Sequence, residues 1–331
     1  MDRPGNTSNQ APQAPPTPVV SDALLALDLA RGLGRRRARR LLQAFGTADA
    51  LFASDSRSLR ERTGCTSSQA SSLRRVLEEA SSRVQTERLA NRRVGCTLVA
   101  PGHPAFPRLL EVIPDPPLLL RVRGRLPGTV EDGVQPALAI VGSRRPTEQG
   151  RRLATRFATQ LSELGFHVVS GGARGIDGVC HRAVLERRGE TTAILGSGLG
   201  RPYPPEHEEL FESIIDHGGC LASEYPVDAP PRPQRFPQRN RIVSGLSVGV
   251  LVVEAAARSG ALITARLAVE EQGREALAIP GRVDDPASAG CLRMLREGWA
   301  ALVRSPEDAL ESLEGISALM AVARTTGTGS A

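Results

Sequence analysis

Arginines, hydroxyls and glycines recur directly after short apolar runs in this chain, and that grouping suits the holding of an anion. Gly142-Ser143-Arg144-Arg145 follows ALAIV, with Thr147 at the expected start of a helix. Small residues let a ligand approach the backbone, a helix N-terminus adds partial positive charge, and a guanidinium grips phosphate bidentately. Ser170-Gly171-Gly172-Ala173-Arg174-Gly175-Ile176-Asp177 follows HVV, and its three glycines allow a nest of N–H groups beside the fixed charge of Arg174. Asp177 could serve as a catalytic acid, but an Asp opening a helix is commonly an N-cap, and the same structural reading covers His181 on that helix. In the run Phe236 to Leu246 (FPQRNRIVSGL), Arg239 and Arg241 suit phosphates and Asn240 a base edge or sugar, while an arginine pair that merely bridges loops is the plainer alternative. After the strand that ends at Glu254, the segment Arg258 to Ala265 (RSGALITA) opens a helix with small residues and makes another phosphate-sized pocket. Gly196-Ser197-Gly198-Leu199-Gly200 fails as a dinucleotide fingerprint: the third glycine of G-x-G-x-x-G would fall on Arg201, and Pro202, Pro204 and Pro205 prevent a helix from starting there.

These segments need a frame to bring them together. From Pro136 onward, apolar runs (ALAIVG, HVVS, TTAIL, CLAS, VGVLVVE, ALAIP, ALV) alternate with helical stretches. That alternation predicts an α/β fold, a Rossmann-like, doubly wound and mostly parallel sheet covered by helices on both faces. Ligands of such sheets sit beyond the carboxyl ends of the strands, where the arginine-bearing segments fall. Residues 21–93 show helical periodicity without β-branched runs and read as a small all-helical domain. Within it, Gly32-Leu33-Gly34 reads either as the hairpin of a helix-hairpin-helix motif, with Arg35, Arg36 and Arg39 facing phosphate, or as an ordinary helix C-cap. Residues 1–20 read as a disordered Pro-rich tail, 94–135 as a connector with one short strand, 136–312 as the Rossmann-like domain, and 313–331 as a flexible C-terminal tail.

Composition narrows the chemistry further. All 42 basic residues of the 331-residue chain are arginine, which excludes a P-loop lysine, a Schiff base and a lysine general base. Residues 1–100 hold 16 arginines against 9 acidic residues, and the remainder 26 against 27. A basic N-terminal module on a nearly neutral body suits a polyanion, although solvated arginine faces would look the same. The five cysteines are widely spaced without a C-x-x-C pair, so they read as reduced thiols of a soluble, cytoplasmic protein rather than as a disulfide framework or zinc site. Aromatics make up 3% of the chain, so base stacking is not expected to dominate any nucleic-acid contact.

The joint order of G-S-R-R-P-T, S-G-G-A-R-G-I-D, I-L-G-S-G-L, S-E-Y-P, F-P-Q-R-N-R-I-V-S-G-L, V-V-E-A, R-S-G-A-L-I-T-A and I-P-G resembles the DprA/Smf family of DNA-processing proteins over roughly residues 100–305. The helical segment resembles the SAM-like or helix-hairpin-helix domain that such proteins often carry. The resemblance implies a non-catalytic protein that binds incoming single-stranded DNA during natural transformation, shields it and helps load the RecA recombinase. It also implies a homodimer, with no cofactor, metal or membrane. Carried over by motif position, the DNA site would comprise Gly142, Ser143, Arg144, Gly171, Gly172, Arg174, Gly175, Arg239, Asn240, Arg241, Ser259, Gly260 and Thr264. Two departures stand out: Leu292 replaces an Asn expected after the P-G turn, and the last strand leaves no room for a winged-helix domain. The rival reading is a nucleotide phosphoribohydrolase using Glu270, but the P-G-G-x-G-T segment such enzymes need is missing. A third is a scaffold that chiefly contacts proteins, with loop glycines serving only tight turns.

Overall fold

The computed structural model describes residues 20–128 and 135–313; the expected tails lie almost wholly outside them. Nine strands form one sheet in the order β1-β2-β6-β5-β4-β3-β7-β8-β9. The strands are β1 (Thr97–Val99), β2 (Leu120–Gly124), β3 (Ala137–Val141), β4 (His167–Ser170), β5 (Thr191–Ile194), β6 (Cys220–Ser223), β7 (Gly249–Val252), β8 (Glu275–Ala278) and β9 (Ala301–Leu302). From β6 through β9 every pairing is parallel, as expected for a doubly wound sheet. Strands β3 to β7 are buried throughout because both faces are covered: Ala139, Val141, Val169 and Val252 pack into one core layer, and Leu138, Ile140, Val168 and Leu251 into the other.

The parallel part of the sheet starts at its middle. It runs from β3 outward through β4 and β5 to β6, then returns across to β7 beside β3. Consecutive crossovers therefore leave β3 and β7 in opposite directions, which opens a crevice at their carboxyl ends. The helices that bound it are α8 (Glu148–Glu163), α9 (Ile176–Glu186), α11 (Arg235–Gly245) and α12 (Gly260–Arg266). Residues 236–245, whose apolar stretch had no assigned element in the sequence, are thus helical.

The passage expected to be a connector with one strand supplies two. β1 pairs antiparallel with β2, and β2 pairs antiparallel with β6, so the pair extends the main sheet. The polar alternation of LRVRG had hidden a strand whose Arg121 is fully buried. Arg121 joins the sheet to the helical part, pairing with Asp28 of α1 (Asp22–Leu29) at 2.9 Å and Glu87 of α6 (Val84–Arg93) at 2.7 Å. Burial pushes the Asp28 carboxyl up to about 6 despite the pull of Arg121.

Four further helices complete that part: α2 (Arg35–Phe45), α3 (Ala48–Ala53), α4 (Ser56–Thr63) and α5 (Ser67–Ser81). They close on Leu25, Leu51, Leu59 and Leu77, all shielded from solvent. Their starts are set locally. Ser21, Thr47 and Asp55 accept first-turn N–H groups, and Thr66 with Gln69 forms a reciprocal capping box. Gly32 and Gly34 both have positive φ, 78° and 69°. Gly34 occupies the N-cap of α2, while α1 is capped by Ala30, so the glycines form a turn between two helices rather than a simple C-cap.

Candidate functional site

The loops after β3, β4 and β7 and the start of α11 meet in a trough of ≈ 550 Å³, at the crevice the strand order dictates. Gly142, Ser143, Arg144, Gly171, Arg239, Asn240, Ser259, Gly260 and Thr264 line it. The β3 loop is fixed from both sides: Ser143 N–H donates to Glu254 O at 2.8 Å, and Ile176 N–H donates to Ser143 O at 3.0 Å. Glycine is needed at 142 because a Cβ there would lie 2.6 Å from Ile176 Cγ1. Gly260 is different. A Cβ at that position would meet nothing within 4 Å, so packing does not require a glycine where the trough is open.

Three cations at the trough, Arg144, Arg145 and Arg258, are exposed and have no carboxylate partner among the described residues. Arg144 stands 5.6 Å above the Phe236 ring, and Phe236 meets Tyr203 at 5.6 Å between ring centroids. Sequence reasoning set stacking aside from the low aromatic content, an average over the chain that says nothing about where the few rings gather. Phe236 heads the FPQRNR run and could have been found from that position, as could Arg145 and Arg258 from theirs.

Four of the expected site residues, Gly172, Arg174, Gly175 and Arg241, stand outside the lining, and Arg239 within it is buried. Arg241 does not reach the trough: its side chain is 7% exposed and holds Glu224 at 2.5 Å and Asp115 at 3.1 Å. It ties α11 to the segment before β2, which is the loop-bridging alternative. Arg239 reaches the floor of the trough but is 4% exposed; its Nη1 donates to Gly171 O and Ile194 O, binding together the ends of β4 and β5. Arg174 lies at the outer rim, donating to Glu206 Oε2 at 2.9 Å and to the Tyr203 hydroxyl at 3.0 Å. Gly172 and Gly175 sit behind the lining. A Cβ on Gly172 would touch Phe211 at 2.9 Å, and one on Gly175 would lie 2.2 Å from Ser143 O.

Two electrostatic expectations also change. The N-terminus of α8 already holds an anion of the protein itself: Thr147 N–H and hydroxyl both donate to the Glu254 carboxylate, at 3.1 and 2.5 Å. That helix end is therefore not open to an external anion at the trough. Asp177 is not an N-cap, since Gly175 occupies that position. It lies one residue inside α9 and folds back to accept Ala173 N–H at 3.2 Å. Burial pushes its carboxyl above the ordinary range against the pull of Arg239. His181 is buried on α9, its Nδ1 2.9 Å from the Thr191 hydroxyl, and burial lowers its pKa to about 3. It is a core residue with a structural rather than a catalytic setting, though not through helix capping.

The Gly198 and Gly200 backbones donate to Ala229 O and Val227 O, both at 2.9 Å, and no helix starts at Arg201. Glu270 is exposed on a π-helical turn, Leu267–Glu271, outside the trough lining. Leu292, on α13 (Ala289–Arg296), also lies outside that lining. Among the described residues no group of three His, Cys, Asp or Glu side chains could hold a metal, and no helix is long and apolar enough to cross a membrane.

Residues 97–314 match the sequence profile of a family described as DNA recombination-mediator protein A. The chain is 45% identical over 226 residues to protein Smf of Escherichia coli K12, a match that takes in 66% of this chain and 59% of the relative. The fold is similar to the X-ray structure of DNA processing protein A from Streptococcus pneumoniae, with a TM-score of 0.73 and 30% identity over 89% of this chain and 99% of the other. It is also similar to DNA processing protein A from Helicobacter pylori, whose structure concerns its single-stranded DNA binding mode, with a TM-score of 0.56 and 28% identity over 63% and 93% of the two chains.

Proposed function

The chain belongs to the DNA recombination-mediator protein A (DprA/Smf) family, and from that premise we propose that its trough binds the sugar-phosphate backbone of single-stranded DNA. The observation that carries the reading is the set of three exposed guanidiniums without an ion pair among the described residues, Arg144, Arg145 and Arg258, around a recess whose glycine at 260 faces open space. A duplex is read by an element that protrudes into a groove. Here the cations line a concavity, which favours a flexible single strand threaded between the loops. Phe236, with Arg144 over its ring, adds an aromatic and guanidinium pair against which a base of any kind can pack, so the binding tolerates sequence. The single carboxylate in the lining, Asp177, is held by Ala173 N–H beside Arg239, which supports a binding role rather than hydrolysis.

In the cell this activity protects incoming DNA during natural transformation and helps load RecA, with the protein acting as a cytoplasmic homodimer. These larger roles are proposed by kinship, since the match covers 59% of the Escherichia coli relative.

Binding is tested by fluorescence anisotropy with a labelled single strand and its duplex over a range of salt. The single strand is expected to bind more tightly, and three phosphate contacts give a slope of about −2 in log K against log salt, at ~0.7 per contact. A response flat in salt, or equal affinity for the duplex, contradicts the proposal.

A further inference from the structure

A second and larger cleft, ≈ 990 Å³, lies between the helical part and α11. Its basic wall is Arg36, Arg37 and Arg40 of α2, with Arg62 from the end of α4. We propose that this cleft is a second subsite for the same DNA strand, gripping its phosphates after they leave the trough.

α2 carries two kinds of arginine. Arg35 and Arg39, one turn apart, dock onto the body: Arg35 pairs with Glu224 at 2.6 Å, while Arg39 donates to Pro114 O at 3.0 Å and pairs with Asp115 at 3.2 Å. Arg40 lies four residues after Arg36 and three after Arg37, so it neighbours both on the adjoining face of the helix. They are exposed and have no carboxylate partner among the described residues. Arg62 is held over the Phe45 ring at 5.1 Å while donating to Ala44 O at 3.1 Å, so its guanidinium has a fixed place in the wall.

An ordinary solvated helix face mixes charge signs and gains from i, i+4 pairs. The sequence of α2, RRRARRLLQAF, contains no acidic residue. The cleft's one carboxylate, Asp115, is already engaged with Arg35, Arg39 and Arg241. Like charges so placed repel one another, and a bound polyanion relieves that repulsion.

The position of the cleft selects the occupant. The first turn of α11 divides the two cavities: Pro237 lines the trough and Gln238, the next residue, lines the cleft. A strand seated on Arg144 and Asn240 that passes over this turn arrives at Arg36 and Arg40. The inference rests on the trough reading and extends it from a point of contact to a path.

The test uses the full chain and a triple variant, Arg36→Ala, Arg37→Ala and Arg40→Ala, with thymidylate strands of about 5 and about 20 nucleotides, one near the lower end and one beyond the upper end of the ~4–16 nucleotides that a single-strand site covers. These side chains are exposed and support no packing, so the fold is expected to stand. On the long strand the variant is expected to bind at least ~10-fold more weakly, with a salt slope shallower by about 2, while the short strand is bound as before. Equal loss on both strands, or no change on the long one, overturns the proposal, as does a loss confined to a duplex. Should the unaltered chain fail to bind the short strand, the trough reading fails, and the cleft is then judged on the long strand alone.

Discussion

Arg239→Ala is expected to lower the stability of the folded protein by about 3–5 kcal/mol and to abolish oligonucleotide binding with it. Arg239 is a buried cation between two carbonyl oxygens and a buried carboxylate. Desolvation lowers its pKa to about 10, with Asp177 pulling the other way, so it remains charged at neutral pH. Its removal leaves Gly171 O and Ile194 O without their donor and Asp177 without a counter-charge. The ends of β4 and β5 then part beneath the trough. For a domain of this size the loss lowers the melting temperature by roughly 10 °C. Arg239→Lys is expected to rescue little, because one ammonium cannot reproduce the planar fork. Thermal denaturation with parallel strand binding checks this. Weakened binding at unchanged stability would instead make Arg239 a direct ligand of DNA.

Gly260→Glu should do the reverse, removing binding while leaving the fold intact. Position 260 opens α12, where a carboxylate is favourable to the helix by about 0.3–1 kcal/mol, and a Cβ meets no protein atom. The carboxylate would stand where a phosphate is expected. Two like charges ~5 Å apart at an effective dielectric of about 20 repel by about 3 kcal/mol, a loss of roughly 100-fold in affinity. Gly260→Ala, which adds volume without charge, is the control and is expected to bind nearly as well. Unchanged affinity in Gly260→Glu would take α12 out of the interface.

The alternation of apolar and helical runs was legible because strand burial and helix period are written in neighbouring residues, and the crevice followed from strand order. Locating the loops that line the crevice needed no more than that. What stayed hidden was the fate of each arginine. Arg241 lies 126 residues from Asp115 and Arg35 lies 189 from Glu224, and nothing local distinguishes these neutralised cations from Arg144 or Arg258. Glu254 at the start of α8 was hidden likewise, because its partner Thr147 is 107 residues away. β2 was missed because Arg121 and Arg123 break its apolar run, the first buried against Asp28 and Glu87 and the second paired with Glu212.

On the proposed reading, three loops, 142–145, 171–174 and 256–260, act as one surface for a single strand. Hydrogen exchange of their amides, with and without a saturating thymidylate oligonucleotide, tests it most directly. All three loops are expected to exchange more slowly together when the strand is bound. Binding that leaves all three unprotected, or protection confined to one of them, would contradict the account.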